Sequence, residues 1–151
     1  MNKKIIGGFV IAAIAVASWY WTQSRTTEVA VSAATTGATQ VAAGAPMVNV
    51  VVPTALSAQA SQGEIYFNAV CATCHGTNAA GQEGVAPPFV HRIYEPGHHG
   101  DMAFMLAARS GVRAHHWSFG DMPPIEQALS DAELGAIIAY VRELQRANGI
   151  N

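Results

Sequence analysis

Charge is scarce in this chain. Only 12% of its 151 residues are charged, the formal net charge is −2, and no lysine follows Lys4. A sequence of this kind lacks the basic patch that nucleic-acid binding requires. Cysteine is equally scarce, and the two cysteines could form one bridge but not the disulfide framework of a small secreted scaffold. Internal repeats are absent, and the length suits one domain of roughly 100 residues plus an extension.

The two cysteines stand in one short motif. Cys71 and Cys74 are separated by two residues, and His75 follows at once. This C-x-x-C-H pattern is the attachment signature of c-type haem, in which each thiol forms a thioether and the histidine supplies the proximal ligand to iron. Two other interpretations are a redox-active thiol pair and half of a zinc site. The first would be expected in an α/β pattern, which the sequence lacks, and the second needs distant histidines.

A membrane anchor is predicted over residues 1–21. Lys3 and Lys4 precede an uncharged run of 17 residues, Ile5–Trp21, which ends in three aromatic residues. That length is at the short end of what spans a bilayer, and aromatic side chains favour the membrane interface. The charges predict a single-pass segment in the bacterial inner membrane, with the rest of the chain in the periplasm. A cleaved signal peptide, with residues 15–17 as its cleavage site, is the alternative.

The anchor is followed by a predicted flexible linker, residues 22–52, in which small and polar residues show no sustained period. Within it, Met47–Val52 is more apolar than a linker requires, and this part is expected to lie on the domain as a short extended segment. The folded domain is predicted over residues 53–151.

Helical patterns dominate that domain, which predicts an all-α fold. The first helix begins at Ser57 or at Ser61, the latter with Glu64 in a capping box, and runs to about Val70. Residues 76–90 are rich in glycine and proline and are predicted to form a loop.

Two more helices are predicted towards the C-terminus. Asp101 is the expected cap of a short helix that Gly111 terminates. The last helix opens with a capping box, residues 130–133, and runs to about Arg146. Its buried stripe is expected to comprise Leu134, Ile137, Ile138, Val141 and Leu144.

Residues 53–151 resemble the class I (mitochondrial-type) c-type cytochromes. Gly63 and Phe67 stand eight and four residues before Cys71, where that family's first helix has its glycine and its aromatic residue. The segment Ile137–Val141 is similar to the family's last helix, whose aromatic face crosses the glycine. The resemblance implies three to four helices around one covalently attached haem c, held through both cysteines.

Two loops carry the resemblance further. The sequence Ala86-Pro87-Pro88-Phe89 is similar to the loop whose proline carbonyl receives the proximal imidazole N–H, although the family has glycine at the position of Ala86. Gly120-Asp121-Met122-Pro123-Pro124 is similar to the loop that carries the axial methionine. The resemblance therefore implies His75 and Met122 as the two iron ligands and Pro87 as the acceptor for His75.

The residues themselves also favour Met122 as the second ligand. It lies 47 residues after His75, in a loop that two prolines stiffen. A thioether ligand favours Fe(II) and so raises the reduction potential. The chief rivals are His115 and His116. Two other methionines fall on the apolar face of the second helix, where methionine usually fills the core: Met102 and Met105.

Three residues are candidate donors to the haem propionates, whose negative charge requires hydrogen-bond partners. They are Arg92, Arg113 and Trp117. For Trp117 the alternative is an ordinary core residue, and for Arg113 an ordinary solvated charge.

The middle of the domain is unusually rich in histidine. Five histidines fall within 26 residues: His91, His98, His99, His115 and His116. One hypothesis is a second metal site near the haem, for example for copper. The plainer interpretation is that one or two of them bond the propionates or pack at the haem rim.

These features predict a one-electron carrier, tethered to the membrane, which moves electrons between redox proteins of unknown identity. No nucleophile, general base or small-molecule substrate site is evident, so an enzyme is not expected; a peroxidase-like activity would require Met122 to be labile. The alternative is a fixed haem subunit of a larger membrane complex. From residue 61 onward the chain has five arginines, no lysine and nine acidic residues, a formal charge of −4. We therefore expect partners that dock through basic or largely neutral surfaces.

Overall fold

Four α-helices and two short 3-10 helices make up the regular structure of residues 43–151, the part of the chain that the computed structural model describes. The α-helices are α1 (Ala58–Val70), α2 (Ala72–His75), α3 (Asp101–Ser110) and α4 (Asp131–Ala147), and the 3-10 helices cover Thr77–Ala79 and Arg92–Tyr94. This part contains no strand, only two isolated bridges. The all-α prediction is confirmed for these residues.

Two predicted segments lie outside the described residues: the anchor, residues 1–21, and residues 22–42 of the linker. Within residues 43–151, no helix has both the length and the apolar character that crossing a bilayer demands.

Helix α1 begins at the first of its two predicted caps. The Ser57 side chain accepts a hydrogen bond from the N–H of Ala60 at 3.2 Å. Ser61 therefore lies inside the helix, and the predicted capping box between Ser61 and Glu64 is wrong. The cap at Ser57, four residues upstream, already satisfies one of the free N–H groups at the start of the helix, so a second start is not needed.

Helix α3 differs from its prediction at the start. Gly100 is the N-cap and Asp101 is the first helical residue, where its carboxylate is favoured by the helix dipole. The helix ends at Ser110, and Gly111 follows it as the C-cap, as expected, with a positive φ of 74° that favours glycine. The placement of Met102 in the core is wrong, since this side chain is 67% exposed, whereas Met105 is half-buried against the core.

Helix α4 confirms its predicted capping box. The Ser130 hydroxyl accepts from the N–H of Glu133, whose carboxylate accepts from the Ser130 N–H at 2.7 Å. All five residues of the predicted stripe are buried. Local sequence therefore determines both the start and the buried face of this helix.

The core forms where α1 crosses α4. Gly63 lies against the backbone of Ala136 so closely that a β-carbon at Gly63 would overlap the Ala136 carbonyl. One turn further along, the rings of Phe67 and Tyr140, both fully buried, lie 5.6 Å apart. The glycine permits the close approach, and the aromatic pair fills the space beside it.

Residues 43–52, assigned above to the linker, contact the domain. The N–H of Met47 donates to the Ala80 carbonyl at 3.1 Å. The Asn148 side chain pairs with both backbone groups of Val51, at 2.9 Å each. This placement agrees with the apolar character of the segment, while the predicted domain boundaries stay a prediction.

Candidate functional site

The two cysteines lie on a single helical turn. Helix α1 ends at Val70, and after Cys71 the chain continues as α2, in which the His75 N–H donates to the Cys71 carbonyl at 2.9 Å. Cys71 is half-buried and Cys74 is exposed, and both thiols are free. One turn of backbone therefore presents two thiols and an imidazole together.

The electrostatics of this turn do not suit a redox-active thiol pair. Burial, followed by the charge of Cys74, raises the pKa of the Cys71 thiol to about 11. A reactive thiol pair requires a lowered pKa, because the thiolate is the nucleophile. Cys71 is thus protonated at neutral pH, which weighs against this alternative.

His75 is buried, with its orientation set by one hydrogen bond. Its Nδ1 lies 2.9 Å from the Pro87 carbonyl oxygen, which can only accept, so Nδ1 carries the proton. Burial lowers the pKa of His75, and the bond to Pro87 opposes this to a smaller degree. The imidazole is therefore neutral at pH 7, with the lone pair on Nε2 available to a metal.

An aromatic cluster that the sequence did not reveal as a unit lies on one side of this histidine. The Phe89 ring stacks on the His75 ring at a centroid distance of 4.0 Å. Phe67, Tyr94 and Phe104 approach Phe89 with near-perpendicular rings. The position of Phe89 directly after two prolines was the only available signal, and it does not specify what the ring contacts.

Gln82, also missed, supports the turn from outside. Its Nε2 donates to the carbonyls of Ala72 and Thr73 at 3.2 and 2.8 Å. These carbonyls belong to the residues between the two cysteines. The amide thus holds the backbone of the motif in place, and a loop glutamine gives no sequence signal for such a role.

Met122 lies in a rigid loop. Its backbone forms two hydrogen bonds with Val112, both 2.9 Å long, and two prolines follow it. The side chain is half-buried. By contrast, the rival candidates His115 and His116 are both exposed, and the rings of both lie near His99.

Among the three candidate propionate donors, Trp117 has the most informative environment. Its ring stacks on Phe119 at 5.8 Å, and its Nε1–H is buried without a hydrogen-bond acceptor. The indole of Trp117 lies near the hydroxyl of Tyr94, whose pKa is raised by burial and lowered to a smaller degree by the indole. The indole N–H and this hydroxyl do not have the geometry of a hydrogen bond. An unmatched buried donor costs about 1–3 kcal/mol, so this N–H is suited to an acceptor that the polypeptide does not supply. The guanidinium-bearing residues Arg92 and Arg113 are both exposed.

Comparison with known proteins gave one family match. A family model described as cytochrome C oxidase, cbb3-type, subunit III matches residues 58–141, which are 84 of the 151 residues. The matched range includes α1, the cysteine turn, the Met122 loop and the first part of α4. No curated protein and no solved structure matched the chain.

Proposed function

Because the chain belongs to the family of the cbb3-type cytochrome c oxidase subunit III, which makes it a c-type cytochrome, we propose that it carries single electrons through one covalently attached haem. In this proposal Cys71 and Cys74 would form the two thioether bonds, and His75 and Met122 would be the protein ligands of the iron. The bound haem supplies reversible exchange between Fe(III) and Fe(II).

The residues of the site fit this group. Cys71 and Cys74 present free thiols on one turn, and neutral His75 follows with an available Nε2. The buried N–H of Trp117 lacks an acceptor, which a propionate oxygen would provide. The two thiols, the imidazole Nε2 and the indole N–H are thus each free to form a bond, and the haem would supply a partner for each. The exposed Arg92 and Arg113 are proposed as additional propionate partners.

The polypeptide orients the proximal ligand before any metal binds. The Pro87 carbonyl fixes the imidazole tautomer, and stacking on Phe89 restricts rotation of the ring. The hydrogen bond that His75 Nδ1–H donates to this carbonyl also raises the basicity of Nε2, the nitrogen that would bind the iron. We expect these two contacts to reduce the rearrangement that accompanies each change of oxidation state.

Met122 is proposed as the second ligand because its loop is held in place. The bridge to Val112 and the prolines that follow restrict the backbone. If His75 and Met122 both bound the iron, a substrate could bind it only by displacing one of them. This arrangement supports an electron carrier over an enzyme.

Membrane tethering and partners belong to the same proposal. The predicted anchor, residues 1–21, would hold the haem domain on the periplasmic face of the bacterial inner membrane, within reach of redox proteins.

The second candidate, a fixed haem subunit of a larger membrane complex, is favoured by one observation: the family's description names a subunit of an oxidase. Purification of the chain in mild detergent distinguishes the two candidate functions, because a fixed subunit would elute with partner chains in constant proportion.

One observation supports the proposal most strongly: the pairing of His75 Nδ1 with Pro87 in a chain whose only cysteines directly precede that histidine. The test is the intact mass of the protein after export in a bacterium that attaches haem. We expect the mass of the chain plus one haem under denaturing conditions, and loss of that increment in the C71A/C74A double variant. A wild-type protein with the mass of the bare polypeptide would contradict the proposal.

A further inference from the structure

We propose that His98, His99 and His116 form a second metal site, which binds one divalent transition metal such as Cu(II) or Zn(II). One ring nitrogen from each of the three residues lies within 4.8 Å of the other two. This site is separate from the residues proposed above to hold the haem.

The closest pair already has nearly the spacing that a metal requires. The Nε2 atoms of His98 and His116 lie 3.2 Å apart. Two nitrogens bound tetrahedrally to Zn(II), at 2.0–2.1 Å each, are separated by roughly 3.3–3.4 Å. A metal ion in place of the shared proton would therefore require the two nitrogens to separate by only about 0.1–0.2 Å.

The third ligand is positioned by its own hydrogen bond. The Nδ1 of His99 lies 2.7 Å from the Ile93 carbonyl oxygen, which leaves Nε2 of His99 as the free nitrogen. Histidines that bind metals are commonly oriented by such a bond from the other ring nitrogen to a carbonyl.

The backbone of this loop is fixed from the core. The buried Arg142 on α4 donates to the carbonyls of His99 and Tyr94 at 2.5 and 2.7 Å, and also to Asp101 at 2.8 Å. Gln145, fully buried on the same helix, donates to the Tyr94 carbonyl at 2.9 Å. Two buried side chains thus hold the loop that carries His98 and His99, two of the three proposed ligands.

The chemistry of the donors selects the class of metal. Three imidazoles suit copper, zinc and nickel, whereas calcium and magnesium prefer oxygen ligands.

The experiment is calorimetric titration of the haem-loaded, chelator-treated full chain with Zn(II) and, separately, with Cu(II). We expect one equivalent of either metal to bind. H98Q and H116Q should each weaken binding by at least about 100-fold, because loss of an outer partner alone costs about 10–100-fold.

H115Q is the matched control. His115 adjoins His116, with ring centroids 4.2 Å apart, but it lies outside the three-residue group. We expect this variant to change the affinity by less than about tenfold. An unchanged haem absorption spectrum in every variant will show that weaker metal binding is not caused by unfolding. It will also show that the haem site is intact, so that a failure of the metal site can be distinguished from a failure of the proposed electron transfer. Absence of binding to the wild type, equal binding by all variants, or equal loss in H115Q and H116Q would overturn the three-histidine site.

Discussion

At the scale of single residues, the side chain of Met122 is expected to set the reduction potential. Replacing it in M122A removes the thioether that stabilises Fe(II), so the potential should fall by more than about 100 mV, within the range of about 0.8 V that axial ligands span. The weak long-wavelength absorption band of methionine-bound Fe(III), which the family resemblance implies, should disappear as well. Redox titration and the oxidised spectrum measure both effects.

M102A provides the control for this substitution. Met102 is 67% exposed on α3, so its loss should leave the potential and the band unchanged. If M122A kept the band, or if M102A removed it, the ligand assignment would be wrong.

Tyr140 joins the last helix to the turn that follows the cysteine motif. Its hydroxyl donates to Asn78 Oδ1 at 3.1 Å, while its ring packs on Phe67. The Y140F variant keeps the ring and removes the donor, so the free energy of unfolding should fall by about 1 kcal/mol. Chemical denaturation measures this loss, and Y66F, on half-buried Tyr66 of α1, serves as a control that removes no hydrogen bond found among residues 43–151.

The same residue predicts a pH dependence. Burial, followed by the charge of Glu64, raises the pKa of Tyr140 from 10.0 to about 12. The protonated phenol is therefore favoured in the folded state, so its contribution to stability is complete below pH 10 and is lost as the pH rises to about 12. Y140F should show a smaller decline in unfolding free energy over this interval, and an identical decline in both proteins would contradict the shifted pKa.

At the scale of secondary-structure elements, the crossing of α1 and α4 depends on one glycine. G63A would place a methyl group against the Ala136 carbonyl, which forces the helices apart. We expect a loss of at least about 2 kcal/mol in unfolding free energy, as for other overpacked cores. Thermal unfolding of the haem-loaded protein measures the loss.

The facing helix offers a matched control in Gly135. A β-carbon there would come no nearer than 4.0 Å to the Gln59 amide nitrogen, and alanine is the better helix former. G135A should therefore leave the protein unchanged or stabilise it by up to about 1 kcal/mol. Equal destabilisation by both substitutions would show that the crossing does not require close backbone approach at Gly63.

Helix α4 was predictable because its determinants are local. The capping box at Ser130 involves residues three apart, and the buried stripe follows the helical period. Met102 was misplaced because periodicity identifies an apolar face but not whether another element covers it. Gly100 is the cap because its backbone is extended, whereas that of Asp101 is already helical. Such backbone angles depend on the neighbouring residues as well, so the residue types alone did not reveal the cap.

The site was only partly accessible to sequence reasoning for a related reason. The cysteine motif is contiguous, whereas Arg142 reaches Tyr94 and His99 across more than 40 residues of chain. Contacts of this kind depend on how helices pack, and neither composition nor period encodes them. The clustering of histidines was visible in the sequence, but which three of the five approach one another was not.

At the scale of the whole molecule, the charge of the haem domain predicts how it meets its partners. The excess of acidic residues after residue 61 should attract cations. Oxidation of the reduced protein by the cation tris(1,10-phenanthroline)cobalt(III) should slow as salt concentration rises, because salt screens the attraction, and oxidation by ferricyanide should accelerate. Stopped-flow absorbance measures both rates. The opposite pair of salt dependences would show that electrons leave through a positively charged part of the surface.

The central claim is that the chain holds one haem c between His75 and Met122 and exchanges one electron at a time. A spectroelectrochemical titration of the purified full-length protein tests it most directly. The account predicts a single reversible wave of the haem bands with the one-electron slope of about 59 mV per decade, and a methionine–Fe(III) band that appears with oxidation. A protein without haem absorption, whose only redox change is a two-electron thiol couple of about 30 mV per decade, would contradict it.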